Sequence, residues 1–225
     1  MMRYLENKLP TRGVGLIHFS HGSMPLFLNL HFLQHSLQMN RVVNWISVTQ
    51  TEEQFKATAG KYGIRLTPDK ANFIAFKDVM ENDIVEQLET GNVNQLLSKL
   101  KESLKGGPDN QLVIIEDIGT ICDLYNLSAV QISFLITKFY LDINPTTTTQ
   151  LICGISDRIV KAVIAESYDF VITVNEYDNG VDNLVSGTMY IEVPDVDEDK
   201  EEYHALSFKV TERNASAFPI AMGAV

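Results

Sequence analysis

QLVIIEDIGTI, residues Gln111 to Ile121, places four apolar residues (Leu112, Val113, Ile114, Ile115) before an acid pair, Glu116 and Asp117. A β-branched run bounded by polar and turn-forming residues reads as a central strand buried on both faces. Carboxylates at the C-terminal end of such a strand stand where open α/β sheets bind ligands. Working outward in both directions, strand and helix patterns alternate.

Val14–Ser20 (VGLIHFS) reads as a first strand. Pro25 suits the first position of a helix in which Leu26, Leu30, Leu33 and Leu37 recur at helical spacing to about Gln38. Val42–Thr49 is a second strand, and Thr51 caps a helix that Gly63 stops. Asn72–Phe76 is a short third strand. A long amphipathic segment then runs from Asn82 or Asp83 to Leu104, interrupted at Gly91. Beyond the central strand, Ser128 starts a helix to about Leu141 that is apolar nearly all round, through Val130, Ile132, Phe134, Leu135, Ile136 and Phe139. Such a helix is either deep core or part of a subunit contact. Leu151–Ser156 and Phe170–Val174 are strands with a helix over Asp157–Glu166 between them. Gly187–Val193 and Tyr203–Val210 alternate as strands without an intervening helix, so they form an antiparallel hairpin at the sheet's edge. The expected architecture is a three-layer α/β/α sandwich with a mostly parallel sheet and a C-terminal antiparallel hairpin, in one domain over residues 1–225. Residues 1–12 are expected to be loosely held.

The chain has 225 residues, is 45% hydrophobic and carries a net charge of −11. That is enough apolar material for a full core. The run Asp195–Glu202 (DVDEDKEE), the expected hairpin loop, holds six acids and one lysine, and without it the remainder carries −6. A global basic footprint for nucleic acid is absent, so any such contact is local or shared with partners. Cys122 and Cys153 lie in apolar surroundings, which fits a reducing compartment rather than a disulfide framework. The N-terminus lacks a signal peptide's apolar segment and no apolar run approaches membrane-spanning length.

In nucleotide hydrolases of this layout, the strand that ends in the acid pair faces magnesium and the attacking water. The partner of those acids is a phosphate cradle, GxxxxGK[ST], after the first strand. Here that turn is Ser20-His-Gly-Ser-Met-Pro25, with one glycine, no lysine, and a proline that removes an amide. Glu116 and Asp117 are therefore expected to be structural, capping the next helix or pairing across an interface. His31 and His35 lie one helical turn apart, with His18 and His21 near in sequence, yet no Cys, Asp or Glu between Arg12 and Thr51 completes a metal shell. No metal and no cofactor is expected. Lys56, Lys61, Arg65 and Lys70, and then Lys99, Lys101 and Lys105, read as solvated faces. Arg158 and Lys161 differ, because they follow a strand at its ligand-facing end. They are the candidate nucleic-acid contacts.

The first turn HGSMP, the stretch VVNWISVTQTEEQF, VIIEDIGTICDL at the acid-pair strand, DNLVSGTMYIEV and the terminal AFPIAMGAV together resemble subunit six of the Elongator complex. The likeness covers most of the chain from Val14 to Val225. It implies a RecA-like fold without a P-loop and a non-catalytic subunit that joins subunits four and five in a hetero-hexameric ring. That ring engages tRNA for wobble-uridine modification within the larger complex, in the cytoplasm with the nucleus as a second compartment. Two alternatives stand beside it: a recombinase-like adaptor that binds DNA with a paralogue, and an NTPase or transferase with a site at Glu116 and Asp117.

Overall fold

The structure is a computed structural model that describes residues 9–20, 25–80, 93–106, 109–144, 146, 148–156, 168–176, 186–194 and 201–220. The turn residues His21–Met24, the segment 81–92, the expected helix over Asp157–Glu166 and most of the acidic run lie outside the described residues, as do the two ends of the chain.

The strands are β1 (Gly13–Phe19), β2 (Val42–Ser47), β3 (Ala71–Ala75), β4 (Gln111–Ile115), β5 (Gln150–Ser156), β6 (Phe170–Glu176), β7 (Gly187–Pro194), β8 (Glu201–Val210) and β9 (Ala215–Pro219). They form one sheet in the order β3-β2-β4-β5-β1-β6-β7-β8-β9. Pairing is parallel from β3 to β6 and antiparallel from β6 to β9. The helices are α1 (Leu26–Gln38), α2 (Glu52–Lys61), α3 (Phe76–Met80), α4 (Val93–Ser103), α5 (Ile118–Leu124) and α6 (Ala129–Ile143). Because side chains alternate along a strand, β4 sends Val113 and Ile115 to one face and Leu112 and Ile114 to the other. The first pair packs with Leu96, Leu100, Ile121, Ile132 and Phe139 from α4, α5 and α6. The second packs with Phe27, Leu30 and Leu33 of α1 and Phe55 of α2. A sheet between two helical layers is the α/β sandwich that the sequence pattern predicts.

Two helix starts follow the expected chemistry, while Pro25 stands one residue before its helix and not at the first position. Thr51 and Gln54 form a reciprocal capping box at α2, and Ser128 and Gln131 form another at α6. The third strand ends a residue earlier than its pattern suggests, because Phe76 turns into the core as the first residue of α3. At the far edge the expectation needs correction: the hairpin β7–β8 is present, but the edge belongs to β9, which pairs with β8. Its five residues, Ala-Ser-Ala-Phe-Pro, are too short and too small to alternate visibly.

The N-terminal ends of the strands are tied together by Arg41, which is 2% exposed. Its Nη1 donates to the Thr11 carbonyl (2.9 Å) and to Gln150 Oε1 (3.4 Å). Its Nη2 donates to the carbonyls of Gln111 (2.9 Å) and Thr148 (3.1 Å). Beside it runs a chain of buried amides. Asn72 Nδ2 donates to Asn44 Oδ1 (2.9 Å), Asn44 Nδ2 to Gln111 Oε1 (3.2 Å), and Gln111 Nε2 to the Ile143 carbonyl (3.3 Å). Each of these buried amides thereby gains a partner whose loss would leave an unsatisfied neighbour.

At the opposite, C-terminal end β4 and β5 come unusually close. A Cβ on Gly154 would lie 1.8 Å from the Glu116 carbonyl oxygen, a backbone atom that cannot swing aside. Gly154→Ala is therefore expected to cost about 3 kcal/mol or more of stability, beyond ordinary overpacking. Urea denaturation with an unchanged midpoint would contradict this close approach.

Candidate functional site

The candidate site is the C-terminal end of β4, where β2 lies alongside. Glu116 is wholly buried. Trp45 Nε1 donates to its Oε1 at 2.6 Å, Ser47 Oγ to its Oε2 at 2.5 Å, and Thr49 Oγ1 to Oε2 at 3.5 Å. The alternation of β2 places Trp45 and Ser47 on one face, so both reach the carboxylate from the same side. Ser47 Oγ also accepts from the Gln50 amide at 2.9 Å, which shapes the turn into α2. The Trp45 ring packs on Phe55 with centroids 4.8 Å apart, so the first turns of α2 close over the same spot. Burial raises the pKa of Glu116, and the hydrogen bonds from Ser47 and Trp45 offset part of that rise. Asp117 faces the other way and caps α5: its carboxylate accepts from the Gly119 amide (2.9 Å) and the Thr120 hydroxyl (2.7 Å). The expected capping role is present for Asp117, while Glu116 is held within the chain by β2 and its following turn.

His31 and His35 stack with ring centroids 6.0 Å apart. They line a small pocket with Leu9, Pro10, Thr11, Phe32 and Gln150. Burial, with His35 adding, lowers His31 to about 3, so the imidazole is neutral across physiological pH. Among the described residues no three His, Cys, Asp or Glu side chains gather as a metal shell. The two cysteines are free and buried. Burial, helped by Asp123 and Asp117, pushes the Cys122 thiol up to about 12, and burial raises Cys153 as well. Both shifts run opposite to the activation of a nucleophile. Arg158 and Lys161 lie outside the described residues. They follow Ser156, the last residue of β5, by two and five positions.

The helix that reads as apolar all round divides its residues between two environments. Ile132, Leu135, Ile136 and Phe139 are buried in the core. Val130, Phe134 and Leu141 are 77%, 63% and 66% exposed. The exposed three recur four and seven residues apart, which puts them on one stripe of α6. Leu124 of α5, 51% exposed, adds a further large apolar side chain on the neighbouring helix. The deep-core expectation therefore holds for one face of the helix, while the other face carries exposed apolar side chains. Among the described residues no helix is long and apolar enough to cross a membrane.

Sequence reasoning missed Arg41 and the amide chain. For Asn44 the signal was there, a polar residue inside the apolar run VVNWIS. For Arg41, an arginine just before a strand carries no mark of burial.

No family model matches the chain, and comparison with curated proteins finds no match. Among solved structures, the fold resembles a KaiC-like protein of the hyperthermophilic archaeon Pyrococcus horikoshii, with a TM-score of 0.59 over 95% of this chain and 93% of that one. Sequence identity is 10%, so the likeness concerns the fold alone. The chain has a RecA-like fold: a mostly parallel sheet between helical layers, extended by antiparallel C-terminal strands.

The raised pKa of Glu116 has a sign that can be checked. A carboxyl whose folded pKa lies above its unfolded value contributes stability that is fully present at acid pH and is lost as pH rises through the folded value. From the ordinary carboxylate range upward, the wild-type chain should lose stability that Glu116→Gln does not lose. Urea midpoints of both proteins over a pH series measure this, and parallel curves would refute it.

Proposed function

We propose that this chain is a non-catalytic RecA-like subunit of the Elongator accessory ring, assembling with subunits four and five and helping to bind tRNA for wobble-uridine modification. The observation that carries the reading is the state of Glu116. The acid at the catalytic position of a RecA-like sheet is buried under Trp45, Ser47 and Thr49. An acid so engaged is a poor candidate to orient water or hold magnesium. The lysine-free first turn and the resemblance of HGSMP, VIIEDIGTICDL and AFPIAMGAV to Elongator subunit six support the same conclusion. The chemistry then belongs to another subunit of the complex, and this chain takes no cofactor or metal of its own.

The exposed stripe Val130, Phe134 and Leu141 supports a role in assembly, because clustered apolar side chains on a helix face mark contact surfaces. Co-expression with subunits four and five should give a hetero-hexamer by light scattering. Phe134→Glu, which places a charge at the centre of the stripe, should weaken that assembly by about 2 kcal/mol or more. A chain that stays monomeric beside both subunits would overturn the reading. Recovery instead with a recombinase-type paralogue, on DNA, would favour the adaptor alternative.

At −11 the free chain repels a polyanion at long range, so RNA binding belongs to the assembled ring. Small basic patches from several subunits then act together through effective concentration. Arg158 and Lys161 follow the ligand-facing end of β5 and are this chain's candidate contribution. Arg158→Glu with Lys161→Glu should leave the ring intact and weaken tRNA binding. The dependence of log affinity on log salt should flatten by about two units. Gel filtration and filter binding on the same mutant ring decide between this and an interfacial role, in which the ring itself would come apart.

A further inference from the structure

Strand β9 ends the sheet, and its backbone can be sorted by the side each group faces. The Ile220 amide donates to the Ala205 carbonyl, and the Thr211 amide to the Asn214 carbonyl. In an antiparallel ladder the bonded residues alternate. With the register Ser207↔Phe218 and Lys209↔Ser216, residues Ser216, Phe218 and Ile220 turn their backbone groups toward β8. Ala215, Ala217 and Pro219 therefore turn theirs outward, where among the described residues no strand pairs with them. Natural sheet edges are usually blunted by charge, a bulge or a proline. Within Ala215–Pro219 there is no charge, and the lone proline stands at the last position.

We propose that β9 is a self-complementary edge through which two copies of this chain join, antiparallel about a two-fold axis at Ala217. Under that operation Ala217 meets Ala217 of the second copy and exchanges both N–H and C=O bonds with it. Ala215 then meets Pro219, whose carbonyl accepts from the Ala215 amide on each side of the axis. The pairing makes about four backbone hydrogen bonds and lacks only those that the two prolines cannot donate. Small side chains on the outward-bonding residues let the backbones approach. On the other face Phe218, 40% exposed, comes opposite Ser216 of the second copy and covers it. Tyr190, 41% exposed, lies on that same face, since it pairs with Ala205 as Phe218 pairs with Ser207 two residues on. An isologous contact of this kind closes as a dimer, with both β9 edges paired and β3 at the outer end of each copy. The proposal goes beyond the ring reading and does not rest on it.

Sedimentation and light scattering of the full-length chain, alone and over a range of concentration, should show a monomer–dimer equilibrium. Ala217→Pro removes an outward N–H and leaves every bond to β8 in place, a position where edge strands tolerate proline. Phe218→Lys brings two like charges to the seam. Both variants should remain folded by circular dichroism and dimerise at least about tenfold more weakly. In the wild type, the Ala215 and Ala217 amides should exchange more slowly as concentration rises, a readout that holds even where a variant fails to fold. A chain that is monomeric throughout would overturn the proposal. So would a dimer that both folded variants retain, or one that only Phe134→Glu dissolves, since association would then run through α6.

Discussion

A buried carboxylate must find donors or lose its charge, and Glu116 finds them on the neighbouring strand. Much of the C-terminal side of the sheet depends on that constraint. To reach Glu116, Trp45 and Ser47 must share one face of β2, which fixes the register Val43↔Leu112 and Trp45↔Ile114. A slip of one residue would turn both donors to the other face and leave the charge uncompensated. Ser47 in turn holds the Gln50 amide and so sets where α2 begins. Trp45 supplies the floor on which Phe55 packs. The Glu116 carbonyl presses toward β5 closely enough that only glycine fits at position 154.

The N-terminal side solves a different problem with similar means. There the carbonyls of Thr11 before β1, Gln111 at the start of β4 and Thr148 before β5 converge, and Arg41 supplies a fork of donors for them. Arginine suits that task because its planar group reaches several acceptors at once. Asn44, Asn72 and Gln111 extend the network to the ends of α4 and α6, through the carbonyls of Ser103 and Ile143. The polar residues of this sheet therefore sit at its two ends and hold it together. The apolar surplus goes to the outer stripe of α6 and the exposed aromatics Tyr190 and Phe218.

Among the described residues between 14 and 156 most of the fold was legible, because periodicity and helix signals agree there. Thr51 and Ser128 cap where their chemistry says they should, and VIIEDI reads as a buried strand with an acid end. What stayed hidden depends on contacts distant in sequence. No local pattern tells that Arg41 will lie under four acceptors, or that Glu116 will meet a tryptophan 71 residues away. The split personality of α6 was also illegible, since apolar residues on two faces look alike until one face is covered. Strand β9 escaped notice because small residues carry little periodic signal. Capping the next helix was one of two roles expected for the acid pair, and Asp117 takes it by accepting from the Gly119 amide. The site's other candidates, Arg158 and Lys161, rest on sequence position alone.

The central claim is that a RecA-like sheet here keeps its acid for internal structure. Titration of the isolated chain with magnesium-ATP in a calorimeter tests that claim most directly. The account predicts no saturable heat at micromolar nucleotide, from wild type and from Glu116→Ala alike, because the first turn has no lysine and the acid is already engaged. Micromolar affinity that disappears in Glu116→Ala would contradict it and return the site to catalysis.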